Sequence, residues 1–276
     1  MNKKVFITDG LYELLEYVKE QRAIDFNAYR PSTIKRRLEL RFSASGMPDY
    51  ASYHNYIREN PKELDLLMDV LTIKVSYFFR NPLVFEVLSN IVLPELLETH
   101  RNDVLRIWCA GCARGEEAYS IAILLKEITA KEGSSQQIFI IGTDIDKEVL
   151  KDAREAVYNS DSLLEVKKRH LDEYFISKDG LYRVKDEIKS MVSFAYHDVT
   201  TLTTPKEGIF SDYHLILCRN AIIYFDRDLS DRVLKGFAGF IQSNGYLTVG
   251  ETESLSAHIA GNFQEVMPGI KIFKKS

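Results

Sequence analysis

Cysteine is scarce, at three in 276 residues, which is too few and too odd a number for a disulfide-built fold and fits a reducing cytoplasm. No apolar run approaches the roughly 20 residues that a membrane helix needs, so membrane insertion is not expected. The opening MNKKVFITDG lacks the long apolar core and small-residue cleavage site of a signal peptide. Positive charge is not in excess: 36 Lys and Arg against 40 Asp and Glu leave a net −4, which argues against nucleic acid as a partner. The G-x-G-x-x-G spacing of a dinucleotide fingerprint is also missing. What is present is a hydrophobic content of 45% with 28% charged residues, the balance of a globular protein with a substantial core. The length suits one large domain, or a small one plus a medium one.

The pattern changes character near residues 80–100, and we divide the chain into an N-terminal helical domain (1–80) and an α/β domain (81–276). In the first, Leu11, Leu14, Leu15 and Val18 repeat with helical spacing behind Asp9, an expected N-cap. Ser32 is an expected cap of a second, strongly basic helix, IKRRLELRF. Pro48 and Pro61 stand where two further helices would begin. No strand pattern interrupts these helices. Beyond residue 100, the runs VLRIW, IFIIGTDI, YHLILC and YLTVG read as buried parallel strands, separated by helical stretches. This alternation predicts a doubly wound sheet. FQEVM and IKIFKK, joined through Pro268-Gly269, predict a closing hairpin. Residues 159–192 break the alternation, and Asp179-Gly180 is a hairpin turn signal, so a small inserted β subdomain is expected there.

The loop from Cys109 to Glu117, CAGCARGEE, follows a strand, is built of small residues and opens a helix. In an open α/β sheet, ligands bind at the carboxyl ends of the strands, where small residues admit a ligand to the backbone. Two glutamates at the helix start disfavour a phosphate and suit an ammonium-bearing ligand, such as the methionine end of S-adenosylmethionine. They also favour a helix N-terminus with no ligand at all. Asp144 ends the next strand, where a carboxylate can accept from ribose hydroxyls; Asp146 is the better candidate for capping the following helix. Cys109 and Cys112 form a C-x-x-C, but neither Cys218 nor the six histidines supply a second ligand pair, so the thiols read as small buried residues rather than metal ligands. Arg219 and Asn220 follow the YHLILC strand and face the same crevice. Tyr224, four positions on, suits a sulfonium-facing aromatic or an ordinary core tyrosine. Arg80 follows three aromatics and presents a planar fork suited to a carboxylate, or rests its stem on Phe79. Arg30, Lys35, Arg36, Arg37 and Arg41 face one acid, Glu39, between positions 30 and 41. That asymmetry fits a solvated face or an acidic partner.

LTIKVSYFFRNP, WCAGCARGEEAYSIAI, GTDIDKEVLKDAREAVY, LILCRNAIIYFD and NGYLTVGETESL occur in order, with the segment from Tyr174 to Phe194 between them. Together they span nearly the whole chain, and it resembles the CheR chemotaxis receptor methyltransferases. The resemblance implies a Rossmann-like S-adenosylmethionine-dependent methyltransferase sheet, an all-helical N-terminal domain and a small antiparallel β insertion that can help bind receptors. It implies methylation of glutamates on acidic receptor signalling helices by a cytoplasmic monomer, with S-adenosyl-L-homocysteine as product. By that resemblance Ser76 and Arg80 contact the cofactor, Glu117 its amino group and Asp144 its ribose. Asp198 and Val199 flank the adenine, and Arg219 and Asn220 complete the pocket. Arg80 and Tyr224 match positions linked to methyl transfer, and the basic helix matches the surface that docks the receptor. Lys74 and Asp198 stand where relatives carry asparagine, and Thr252 where serine is common. Three other readings stay open: a same-fold enzyme acting on another acidic protein, a non-catalytic scaffold that senses the cofactor, and an NAD-dependent oxidoreductase.

Overall fold

The computed structural model describes residues 10–72, 74–208 and 210–276. Two compact units are present: Met1–Ile73 with Tyr224–Ser230, and Lys74–Ile223 with Asp231–Ser276. Lys74–Arg80 therefore groups with the second unit, and a short late segment groups with the first.

Among the described residues before position 73, the first unit has the helices α1 (Leu11–Arg22), α2 (Pro31–Ser45), α3 (Tyr50–Glu59) and α4 (Pro61–Leu71). Leu11, Leu14, Leu15 and Val18 form the buried stripe of α1, as their spacing predicts, and Gly10 holds its N-cap position. Asp9 lies outside the described residues. The second helix starts at Pro31 with Arg30 at its N-cap, so Ser32 falls inside the first turn instead of capping it. Proline fits the first helical position because its missing N–H has no partner to lose there. Pro61 plays the same part in α4, whereas Pro48 precedes Asp49, whose carboxylate caps α3 by accepting from Ser52 N at 2.7 Å. Residues 224–230 join this unit through Arg30 N to Tyr224 O, Asp226 N to Ala28 O (both 2.8 Å), and an edge contact between Tyr29 and Phe225.

The second unit opens with α5 (Pro82–Val87) and α6 (Leu93–Thr99), joined by a π turn, Leu88–Val92. Pro94 cannot donate to the carbonyl four residues back, which accounts for the widened turn ahead of it. Then come β1 (Leu105–Ala110), α7 (Glu116–Glu132), β2 (Ile138–Asp144), α8 (Lys147–Glu155), β3 (Val157–Tyr158), α9 (Lys168–Tyr174), β4 (Phe175–Lys178), β5 (Leu181–Val184), α10 (Asp186–Lys189) and β6 (Val192–Tyr196). The chain closes with β7 (Tyr213–Cys218), α11 (Arg227–Phe240), β8 (Ile241–Val249), α12 (Ala257–Ala260), β9 (Phe263–Glu265) and β10 (Ile272–Lys275). The main sheet has the order β6-β2-β1-β7-β8-β10-β9. Its first five strands run parallel, and β10 runs antiparallel to both neighbours as the closing hairpin. Every residue of β1 and β7 is buried, as expected of central parallel strands covered on both faces.

Strands β3, β5 and β4 form the separate antiparallel sheet, beginning at Val157. Asp179 and Gly180 both take positive φ at its hairpin turn, which is why Asp-Gly suits that position. Strand β6 was not visible as a strand in the sequence. No helix among the described residues is long and apolar enough to cross a membrane.

Candidate active site

The parallel strands bring three chain ends to one edge of the second unit. Strand β1 delivers the small-residue loop, β2 delivers Asp144, and β7 delivers Arg219 and Asn220. The loop turns back on β2 through Gly111 N and Cys112 N, which both donate to Thr143 O at 2.8 and 2.9 Å. Gly111 and Gly115 have positive φ. A Cβ on Gly111 would lie 2.9 Å from Ala221 Cβ, and one on Gly115 would lie 2.6 Å from the Phe194 ring. Small residues are thus required for the loop itself, before any ligand is considered.

Asp144 accepts from Ala113 N at 2.9 Å and from Asp146 N at 3.0 Å, which ties the β2 end to the loop. Burial pushes its pKa up to about 6. Asp146 caps α8, as its position suggests, and also pairs with Lys74 at 3.0 Å. Lys74, one of the departures from the family pattern, therefore has a defined counter-ion. His197 N donates to Asp144 O at 3.0 Å, which sets Asp198 and Val199 just beyond the β6 end. Asp198 accepts from Thr200 N at 2.8 Å and caps a short 3-10 turn. Thr252 is exposed.

Arg219 is the hub of the cluster. Its Nη1 pairs with Glu117 at 2.9 Å, while Nη2 donates to Arg80 O at 2.7 Å and to Asn81 Oδ1 at 2.9 Å. Its guanidinium also lies over the Phe85 ring, 5.4 Å from the centroid. Burial raises the Glu117 pKa even with Arg219 beside it. Phe79 and Asn81, on either side of Arg80, both adopt positive φ. Strain of this kind persists only where surrounding contacts over-determine it, here Ser120 Oγ on Phe79 N at 3.0 Å and Arg219 on Asn81. The Arg80 guanidinium lies over Tyr77, 5.5 Å from its centroid. Ser76 hydrogen-bonds the Glu116 carboxylate.

Glu253, which no local sequence pattern marks, organises the β7 end. It is 4% exposed, and accepts from Asn220 N at 3.0 Å, Ile223 N at 3.1 Å and Gly250 N. Asn220 is held at φ +61, and its buried Oδ1 has no partner among the described residues. The only sequence sign was an acid four positions past the end of a strand.

The remaining candidates lie in the first unit. Tyr224 sits under the Arg37 guanidinium, 5.9 Å from the ring centroid. Arg30 donates through Nε to Phe225 O at 3.0 Å, and Arg37 through Nη1 to Val70 O at 2.6 Å. Arg41 grips Glu63 with two bonds of 2.9 and 2.7 Å, and Tyr53 donates to the same carboxylate. Burial alone would raise the Glu63 pKa, but these donors hold it below its ordinary value. Lys35, half-buried, and Arg36, exposed, have no ion pair among the described residues.

The three cysteines are buried, and burial pushes their thiols well above the ordinary range, so thiolate chemistry at neutral pH is not favoured. Ligand atoms of His100, Asp103 and His214 lie within 4.8 Å of one another at the opposite end of β1 and β7. The Arg106 guanidinium already stands among them, 3.2 Å from both Asp103 and His214, and supplies the cation there.

Residues 74–270 match the CheR methyltransferase SAM-binding domain, and residues 9–72 match the CheR all-alpha domain. The chain belongs to the CheR methyltransferase family. It is 30% identical over 274 residues to the chemotaxis protein methyltransferase of Borreliella burgdorferi, covering 97% of this chain and 95% of the relative. The chemotaxis protein methyltransferase of Listeria innocua is 30% identical over 247 residues, covering 90% of each chain. That of Escherichia coli K12 is 27% identical over 270 residues, covering 95% of this chain and 90% of the relative. S-adenosylmethionine is accordingly the cofactor, and the donor set fits it. The edge offers buried carboxylates toward a cationic amino-acid end, and an orphaned amide oxygen on Asn220.

Proposed function

We propose that this enzyme methylates glutamate carboxylates on the signalling helices of chemotaxis receptors, giving glutamate methyl esters and S-adenosylhomocysteine. The observation that carries the reading is the Arg219 hub, which fixes Glu117 and the backbone of Arg80 at the strand edge where a CheR-family chain binds its cofactor. In this reading Glu117 receives the cofactor's amino group and Asp144 its ribose hydroxyls. Asp198 and Val199 border the adenine, and Ser76, Arg219 and Asn220 complete the enclosure. Asp198 accepts but cannot donate, so it would meet the adenine amino group and not a ring nitrogen.

The cofactor supplies an activated methyl group. An acceptor carboxylate would take that group directly, the new O–CH3 bond replacing the S–CH3 bond with the electron pair left on sulfur. A glutamate side chain is already ionised near neutral pH, so no general base is required. Catalysis then rests on proximity and orientation. Arg80 holds the acceptor or the cofactor carboxylate with its fork, and Tyr224 contacts the sulfonium or orients the methyl acceptor. The basic helix supports an acidic partner through Lys35 and Arg36 first, because Arg30, Arg37 and Arg41 already serve the helical unit.

The test uses purified protein, S-adenosylmethionine with a labelled methyl group and a receptor signalling fragment. Label that leaves the fragment as methanol in mild alkali identifies a carboxyl methyl ester. Alkali-stable label would place the methyl on nitrogen or sulfur and overturn the reading.

A further inference from the structure

Glu116 opens α7, yet it is only 1% exposed. Glu117 has Arg219 as counter-ion at 2.9 Å. Glu116 has no such partner, and its Oε2 has no hydrogen bond among the described residues. Its carboxylate otherwise meets the Ser76 hydroxyl and its own backbone N–H. A glutamate in a first turn gains from the helix dipole while still exposed, so the dipole alone does not require full burial.

The groups facing Glu116 come from four other segments. They are Ser76 ahead of α5, Cys112 and Arg114 in the loop, Asp152 on α8 and Tyr158 on β3. Arg114 is the one cation among them, and it is shared with Asp152 at 3.2 Å. Its carbonyl is taken by the Tyr158 hydroxyl at 2.6 Å. The negative charge of Glu116 is therefore poorly compensated in the free protein.

We infer that Glu116 is a positioning residue of the cofactor site, anchoring the Ser76 hydroxyl and lending the site an uncompensated negative charge that favours cationic S-adenosylmethionine over its neutral product. The inference rests on the reading that Ser76 contacts the cofactor. S-adenosylmethionine carries a sulfonium and an ammonium against one carboxylate, and S-adenosylhomocysteine has lost the sulfonium charge. A cationic ligand binds the ionised form of a nearby acid more tightly and so expels its proton. Burial pushes the Glu116 pKa up to about 7, so the free protein is partly protonated there at neutral pH.

The experiment is calorimetric titration of the full chain with S-adenosylmethionine and S-adenosylhomocysteine between about pH 6 and pH 8. Wild type, Glu116→Gln and Ser76→Ala are compared, with circular dichroism confirming that each is folded. A single titration centred near 7 makes wild-type Kd for S-adenosylmethionine about tenfold weaker at the acid end, with a smaller change for the product. In Glu116→Gln that dependence shrinks to the part due to Asp144, because the amide keeps an acceptor for Ser76 but cannot ionise. In Ser76→Ala the midpoint moves up, since a donor to the carboxylate is gone. A wild-type pH profile in Glu116→Gln overturns the role of Glu116 and leaves the cofactor reading intact. If wild type shows no saturable binding at any pH, the cofactor reading fails, and this inference fails with it.

Discussion

At the scale of single residues, the site is governed by where each charge finds a partner. Arg219 is consumed by structure, whereas the Arg80 fork makes no ion pair among the described residues and rests on Tyr77. Arg80→Ala should therefore reduce methyl transfer by about 100-fold while changing product affinity by less than about fivefold, since orientation is lost and most binding contacts remain. Equal losses in rate and in calorimetric affinity would count against that role. Glu253 presents a different case. Its two oxygens accept from Asn220, Ile223 and Gly250, so Glu253→Gln must turn one donor toward another. The expected cost is about 2–3 kcal/mol, measured by urea unfolding, with weaker cofactor binding because Asn220 shifts. An unchanged urea midpoint would show that the three N–H groups find other acceptors. Asp144 and Arg219 were legible in the sequence because strand ends announce a crevice. Glu253 was not, since two of its three donors, Asn220 N and Ile223 N, lie 33 and 30 positions away and no local pattern records them.

At the scale of elements, the parallel strands β1, β2, β7 and β8 announced themselves as short apolar runs, and α1 by its helical stripe. Strand β6 escaped because VSFAY, at the sheet's edge, has a single fully buried residue, Ala195, among exposed and half-buried ones. The π turn before Pro94 escaped for another reason: the proline signals a break but not how the helix absorbs it. The two glycines that bound α7 make a controlled comparison. Gly115, ahead of the helix, is at φ +87, and a Cβ there would lie 2.6 Å from the Phe194 ring. Gly133, after it, is at φ +63 with nothing within 4 Å. Gly133→Ala should cost about 1 kcal/mol from backbone strain alone. Gly115→Ala should cost at least about 2 kcal/mol, because overpacking adds to the strain. Denaturant midpoints check the order, and equal losses would mean that the Phe194 ring yields freely.

At the scale of the whole molecule, the chain forms two compact units, and sequence could not reveal that Tyr224–Ser230 groups with the N-terminal helices. That membership comes from backbone pairing and an aromatic edge contact across nearly 200 positions, none of it periodic. A fragment of residues 1–73 should therefore unfold more readily than the same fragment carrying residues 224–230 on a flexible linker. The difference should be about 1–2 kcal/mol from the restored hydrogen bonds and ring contact. Identical unfolding curves would show that the late segment adds nothing to the helices.

The same seven residues, 224–230, bear on how such a gene can evolve. A crossover at the 73/74 boundary would import a foreign set of four helices and leave their pairing segment encoded by the other parent. The incoming Ala28–Arg30 would then meet a Tyr224–Asp226 selected against a different partner. Exchange of the helical part between lineages should accordingly be rare, or followed by matched substitutions at these two stretches, so that they drift as a pair while the intervening sequence drifts on its own.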